Sequence, residues 1–504
     1  MLSAMGTPSD SSIVHQWGRH RRRRRRPVPR LLWLGLAVAL AAGLGAAIWL
    51  RAEKHPWKPP SGAPRFVSCT YGGYVDGWCS RLAVPEDPAR PNGRTISLAI
   101  TVLPATRRPA AGALFYLEGG PGGAATASAV RVNGLFAEVG RDRDVVMVDQ
   151  RGTGGSSRLS CPDTRVAATD AAAVAAYVRG CFPHLRRDPR LYTTSVAADD
   201  LEAVRRALGY GRIDLYGGSY GATLAEAYLR RYPGSVRSAV LDGSSLPGVR
   251  IYERSARNAE RALDAELARC AAAPACRHAF PDPRRQLAEL LTRPPRRVTV
   301  QAGTFLLRPD DIAWTVASLS STADGAALIP YTVDAAAHGD YLPLARAYAQ
   351  TLGAALDPRA RLAMFWEILC SEPWAVFDPA ATARLGAGSY LEHAAVARAR
   401  LFERACRSVP RGRVPAGSAS DAPMRTPVLL LAGGADPLDP PANLAGWRRA
   451  FPDGRLVVVP GAGHGAIAYG CVPTLVAAFV ARGGAAGLDT ACARRAPLPH
   501  FLTG

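Results

Sequence analysis

The sequence predicts an α/β fold: a mainly parallel sheet, interrupted by a helical insertion and preceded by one apolar segment of membrane-spanning length. Three observations predict it. Short, largely apolar runs such as Ala113–Leu117, Asp144–Val148 and Val428–Leu431 read as strands of a sheet covered on both faces. Helical patterns alternate with these runs, as the crossovers of a parallel sheet require. Between them, residues 247–420 are rich in Ala, Arg and Leu at helical spacing and poor in strand runs, which reads as a lid over the sheet's carboxyl edge.

Length and composition set the bounds. The chain has 504 residues, 48% hydrophobic and 20% charged, values of a globular protein with a large core. A net charge of +21 raises the question of nucleic acid, but its distribution argues against that partner. Residues 1–30 hold eight Arg against one Asp, a balance of 8 − 1 = +7. The rest is scattered singly, with no basic stripe interleaved with aromatics.

In chain order, 1–30 reads as a basic cytoplasmic leader ending in Arg21–Arg26 and Arg30. Residues 31–50 carry no charge and, as a helix, would span about 30 Å, one hydrocarbon core. Positive charge stays inside, so the segment reads as a transmembrane or signal anchor, with everything after Arg51 exported; if it is cleaved, the protein is secreted. Residues 51–64, with four Pro, read as an extended linker. The first part of the core takes 65–246. Its expected strands are Trp78–Val84, Thr95–Leu103, Ala113–Leu117, Asp144–Val148, Ile213–Tyr216 and Val236–Leu241, with an amphipathic helix over Asp199–Leu208. After the lid, the second part of the core with a C-terminal tail takes 421–504. It holds strands Val428–Leu431 and Arg455–Val459 and a helix near Thr474–Val480.

The chemistry concentrates at three points. Gly217-Gly218-Ser219-Tyr220-Gly221 is a G-x-S-x-G with a strand leading in and a helical pattern leading out, the context a nucleophile elbow needs. Asp436 follows one late strand, and His464, between Gly463 and Gly465, follows the next. Ser, Asp, His in that order, each after a strand, is the order of the α/β-hydrolase triad. Ser219 is the expected nucleophile, His464 the base and Asp436 its orienting acid, with Asp439 the rival acid. The oxyanion donors are expected at the backbone N–H groups of Tyr220 and Gly120, since Pro121 has no N–H to give. Gly119–Gly123 is not a phosphate loop, because no Gly-Lys-Ser/Thr follows. No metal or organic cofactor is implied.

Together, Glu118-Gly119-Gly120-Pro121-Gly122-Gly123, Asp149-Gln150-Arg151-Gly152, the elbow, Leu241-Asp242-Gly243, Asp436 and Gly463-His464 resemble the prolyl aminopeptidase/tripeptidyl aminopeptidase family of serine peptidases. The similarity is greater to secreted actinobacterial tripeptidyl aminopeptidases. It covers roughly residues 65–495 and is weakest in the lid. Prolyl aminopeptidases usually have His where Glu118 stands, which leans away from strict proline preference. The resemblance implies peptide substrates with a free N-terminus and a lid acid that reads the ammonium. Glu372, in Cys370-Ser371-Glu372, is the candidate for that acid, with Glu118 next in line. The alternative on the same triad is an esterase or lipase. Export also makes disulfides the expected use of ten Cys, paired as neighbours: Cys69–Cys79, Cys161–Cys181, Cys270–Cys276, Cys370–Cys406 and Cys471–Cys492.

Overall fold

Alternating apolar side chains build the centre of the molecule. In β4 (Ala113–Leu117) and β5 (Asp144–Val148) every residue is buried. Phe115, Leu117, Val146 and Val148 face one core, while Leu114, Tyr116, Val145 and Met147 face another. Side chains two apart share a face, so one strand feeds two cores. This is a computed structural model describing residues 57–161, 171–355, 363–420 and 422–503, all within the unit Trp57–Gly504. The leader, the apolar segment 31–50 and the start of the linker lie outside the described residues. Among the described residues no helix is long and apolar enough to cross a membrane.

Nine strands form the sheet. Three lead in: β1 (Val67–Tyr71), β2 (Val75–Pro85) and β3 (Thr95–Leu103). After β4 and β5 come β6 (Ile213–Gly218) and β7 (Val236–Asp242). A two-stranded hairpin, β8 (Arg296–Val300) and β9 (Gly303–Leu307), stands apart from the main sheet, which is completed by β10 (Val428–Gly433) and β11 (Arg455–Val459). The order is β1-β2-β3-β5-β4-β6-β7-β10-β11. Pairing is antiparallel from β1 to β5 and parallel from β5 to β11. The mainly parallel sheet expected from the sequence is present. The expectation missed β1, whose side chains are mostly exposed and give no apolar run.

Helices cover both faces. They are α1 (Ala129–Leu135), α2 (Ala171–Cys181), α3 (Thr194–Ala207) and α4 (Tyr220–Arg231) before the insertion. Leu201, Val204, Leu224 and Leu229 of α3 and α4 pack on one face. Val132 of α1 packs on the other, with Leu475, Val476 and Phe479 of the last helix, Val472–Arg482. Between β7 and β10 the chain is mostly helical. It runs through α5 (Ser255–Ala272), α6 (Pro274–Ala279), α7 (Pro283–Leu290), α8 (Pro309–Leu319), α9 (Ala323–Ala337), α10 (Leu342–Ala355), α11 (Ala363–Ser371), α12 (Pro379–Gly386) and α13 (Glu392–Cys406). These helices have cores of their own, one around Leu263, Leu287, Ile312, Val316 and Ile329, another around Trp366, Ile368 and Phe402.

All five expected disulfides are formed: Cys69–Cys79, Cys161–Cys181, Cys270–Cys276, Cys370–Cys406 and Cys471–Cys492. No cysteine is left free.

Candidate active site

The site grows from the carboxyl ends of the parallel strands, where crevices form in sheets of this kind. β6 ends at Gly218 and α4 begins at Tyr220, which leaves Ser219 alone in the turn at φ 56°. That is left-handed backbone, costly for a residue with a Cβ, and it is held from outside. The Ser219 N–H donates to the Asp242 carbonyl at 2.8 Å. Glycines make the turn possible: a Cβ on Gly217 would overlap the carbonyl of Gly221, and one on Gly221 the carbonyl of Leu117.

Asp436 and His464 stand on the loops after β10 and β11, as the sequence predicts. Asp436 Oδ2 lies 2.8 Å from His464 Nδ1. Its Oδ1 accepts the N–H groups of Leu438 and Asp439 at 2.8 and 3.0 Å, so the carboxylate is fixed by backbone before it meets the ring. The rival acid is engaged elsewhere: Asp439 accepts from the Ser245 hydroxyl. Burial pushes the Asp439 carboxyl up to about 6. Burial alone would lower the His464 pKa, but Asp436, with Asp439 and Asp242 behind it, outweighs this and pushes it up to about 9.

Asp242 is the residue whose importance sequence reasoning missed. It is fully buried and accepts from Ala466 N–H (2.7 Å), Ile467 N–H (2.9 Å) and the Tyr216 hydroxyl (2.8 Å). One carboxylate at the end of β7 thus clamps the turn that follows His464, while its own carbonyl holds Ser219. The available signal was the Asp in Leu241-Asp242-Gly243, a charge ending an otherwise apolar strand. Gly243 must be small as well, since a Cβ there would lie 2.9 Å from His464 Cε1. The His464 N–H donates to the Ser321 carbonyl at 2.8 Å, so the helical insertion also holds this loop.

The other motif residues turn out to be framework. Arg151 is fully buried, with two 2.7 Å bonds to Asp200 and others to the carbonyls of Glu86 and Leu191. Asp149 ties the loop after β5 through Thr126 and Gly155. Gln150 donates to the Tyr220 hydroxyl at 2.9 Å. Glu118 is occupied by Arg131 at 3.0 Å, the Ser128 hydroxyl and the Gly119 N–H. It follows the fourth strand, one later than the sequence count, because β1 precedes the strands recognised there.

A cavity of about 280 Å³ opens beside Ser219, with Gly120, Tyr220, Glu372, Trp374 and Asp439 among its walls. Gly120, the adjacent Ser219 and Tyr220, and Glu372, three places far apart in sequence, therefore meet at one space. Glu372 is buried, and its Oε1 accepts the Thr194 N–H at 3.0 Å. Burial raises its pKa, opposed by the bonds from Thr194. The Thr194 hydroxyl lies 3.0 Å from that of Tyr220, linking Glu372 to the residue after Ser219. Among the described residues no cluster of His, Cys, Asp and Glu is arranged to hold a metal ion.

Comparison with known proteins agrees with this geometry. Residues 112–305 match the α/β hydrolase fold model, and 394–492 match the TAP-like protein model. The chain belongs to the α/β-hydrolase family. Among curated relatives of this hydrolase is the tripeptidyl aminopeptidase of Streptomyces lividans, 34% identical over 32% of this chain and 34% of the relative. The serine protease Hip1 of Mycobacterium tuberculosis is 29% identical over 47% of this chain and 50% of that protein. Proline iminopeptidase of Neisseria gonorrhoeae is 30% identical over 26% and 32%. The chain thus spans about a third to half of the length of these relatives.

Proposed function

We propose that this hydrolase is an exported serine exopeptidase, releasing residues or short peptides from the free N-terminus of peptide substrates through an acyl-enzyme. The observation that carries this reading is the hydrogen-bonded Asp436–His464 pair at the sheet edge that also presents Ser219, opening on a cavity walled by a buried carboxylate. In this reading His464 takes the Ser219 proton as Oγ attacks the scissile carbonyl, then gives it to the leaving amine. Asp436 holds the ring and stabilises the imidazolium. The N–H groups of Tyr220 and Gly120 receive the oxyanion. His464 next activates water to release the acyl group.

Three kinds of support converge. The curated relatives named above are a tripeptidyl aminopeptidase, a serine protease and a proline iminopeptidase, all peptidases by name. A free α-amine needs an anionic partner, and Glu372 lines the cavity to supply one for a substrate with a short acyl part. Pairing of every cysteine supports export to an oxidising compartment. The anchor proposed at 31–50 would keep the catalytic part at the outer face of the cell membrane, or release it on cleavage.

The test is a panel of chromogenic peptides, free and N-blocked, with simple acyl esters alongside. The expected result is turnover that requires the free amine, and its loss by several orders of magnitude in Ser219→Ala, which still folds. Equal turnover of blocked peptides or esters would make the protein an esterase or lipase instead. Retention of more than about a tenth of the activity in Ser219→Ala would exclude it as the nucleophile.

A further inference from the structure

The cavity beside Ser219 has polar walls that the proposed chemistry does not use. Ser244, Ser245 and Asp439 line it, from the loops after β7 and β10. Asp439 is 7% exposed, and the Ser245 hydroxyl occupies its Oδ1. Among the described residues nothing donates to its Oδ2 and no cation pairs with this carboxylate. The two guanidinium groups that line the cavity are held elsewhere: Arg230 donates to the carbonyls of Ser420 and Ala422, and Arg231 pairs with Asp199. Ser244 is 4% exposed, and its hydroxyl has no hydrogen-bond partner among the described residues. A serine hydroxyl moves between staggered wells by one χ1 turn, so it can meet a ligand in the cavity. A buried carboxylate with one side-chain bond and a buried hydroxyl with none are both costly as they stand. Both accept, and an ammonium group has three donors and no acceptor.

The sheet order sets which part of a substrate meets these walls. β6 leads to Ser219 and lies between β4 and β7, in the order β4-β6-β7-β10 reading inward from β5. The Gly120 turn follows β4, on one side of Ser219, while Ser244 and Asp439 follow β7 and β10, on the other. A carbonyl whose oxygen points to Gly120 therefore turns its substituents toward β7. The leaving amine must meet His464, and among the described residues none of the loop 460–465 lines the cavity. The cavity is left to the acyl part. Leu246, Val249 and Ile251 continue the wall beyond Ser245. They offer apolar surface along which a four-carbon stem can lie while its charged head reaches a carboxylate. We infer that Asp439 and Ser244 form a subsite for the side-chain ammonium of a lysine whose own carbonyl is attacked by Ser219. This assignment rests on the peptidase reading above and names its substrate class, peptides cleaved after a basic residue.

Glu372 and Asp439 are held by different elements and can take one charge each. Glu372 is fixed to the first N–H of α3, Asp439 to the loop after β7. The first receives the α-ammonium in the proposed reaction, which leaves the second for a side chain. A neutral side chain against Asp439 would exclude water from the carboxylate without offering it a cation, and burying an uncompensated charge is costly. A lysine there restores neutrality. Lysine also suits the site better than arginine. With Oδ1 taken by Ser245, the carboxylate cannot meet a guanidinium through both oxygens, whereas an ammonium needs only one.

The experiment compares free-amine p-nitroanilides ending in lysine with those ending in norleucine, which has the same stem without the ammonium. Each is made as the single residue and with one or two alanines ahead. Wild type, Asp439→Asn and Ser244→Ala are each read as the lysine-to-norleucine ratio of kcat/KM, so that a general loss of turnover cancels. The expected wild-type ratio is about 10 to 100 at the best-cleaved length, carried mainly by KM. Asp439→Asn should bring it close to unity, and Ser244→Ala should lower it several-fold. A wild-type ratio at or below unity would overturn the inference. So would a ratio that survives Asp439→Asn while both substrates lose turnover equally, the mark of a residue that supports His464 instead. Should Asp439→Asn not fold, the wild-type ratio and Ser244→Ala decide, and an unchanged ratio in Ser244→Ala rejects the subsite. The peptidase reading fails differently: no peptide of either series is cleaved while ester turnover and fluorophosphonate labelling persist, and the subsite falls with it.

Discussion

At the residue scale, hydrogen bonding separates two carboxylates that sequence leaves as rivals. Asp436 grips His464 Nδ1, and Asp439 is turned to Ser245. Asp436→Asn should therefore cut kcat by roughly 10²-fold or more, and Asp439→Asn far less, in single-turnover assays. The reverse ranking would move the acid to Asp439. A second prediction follows from charge. Only neutral imidazole can take the Ser219 proton, and the surrounding aspartates push its pKa up to about 9. The acid limb of the kcat/KM profile should accordingly lie above the ordinary histidine value of about 6.5, with activity rising with pH toward 9. Asp436→Asn should shift that limb downward as well as lower the plateau. The linked stability has the opposite slope. A raised folded pKa means the protonated ring's contribution is complete below about 6.5 and lost as pH climbs through about 9. Ser219, Asp436 and His464 were legible because each sits in a loop with its own local signature. The tie from Asp242 to the turn after His464 was not, because its partners Ala466 and Ile467 lie 224 and 225 residues away in sequence.

At the element scale, strands Thr95–Leu103, Ala113–Leu117, Asp144–Val148 and Arg455–Val459 have the bounds the sequence suggests, because apolar runs between turn residues define them. α3 behaves otherwise. It starts at Thr194, five residues before the amphipathic pattern at Asp199. Its first N–H is satisfied by Glu372, 178 residues away in sequence, and a partner at that distance leaves no local trace. The same helix receives Arg151 on Asp200, a fork-to-fork pair shut off from water. Asp200→Asn should destabilise by about 3–5 kcal/mol in chemical denaturation, because it strands a buried guanidinium. A loss under about 1 kcal/mol would show that the carbonyls of Glu86 and Leu191 suffice for Arg151.

At the scale of the whole molecule, the lid is stapled to itself. Cys370–Cys406 closes a loop of 36 residues that joins α11, the helix leading to Glu372, to the end of α13. In the chain-entropy model such a loop contributes about 4 kcal/mol, so the double Ser variant should melt earlier, with loss of peptide turnover before loss of the sheet's circular dichroism. Simultaneous loss of both signals would mean the lid and the sheet unfold as one.

None of the five disulfides joins the segment before the lid to the segment after it; the widest separation is 36 residues. Yet β7 pairs directly with β10 across nearly two hundred residues of intervening chain. A single proteolytic cut between Cys276 and Cys370 would leave two polypeptides with no covalent link. In native buffer they should travel as one particle, held by the β7–β10 ladder and by Asp242 on the turn after His464. On a denaturing gel without reductant they should separate. The nucleophile and its base would then belong to different molecules, and activity after the cut would measure how well two fragments complement each other across a seam in the sheet.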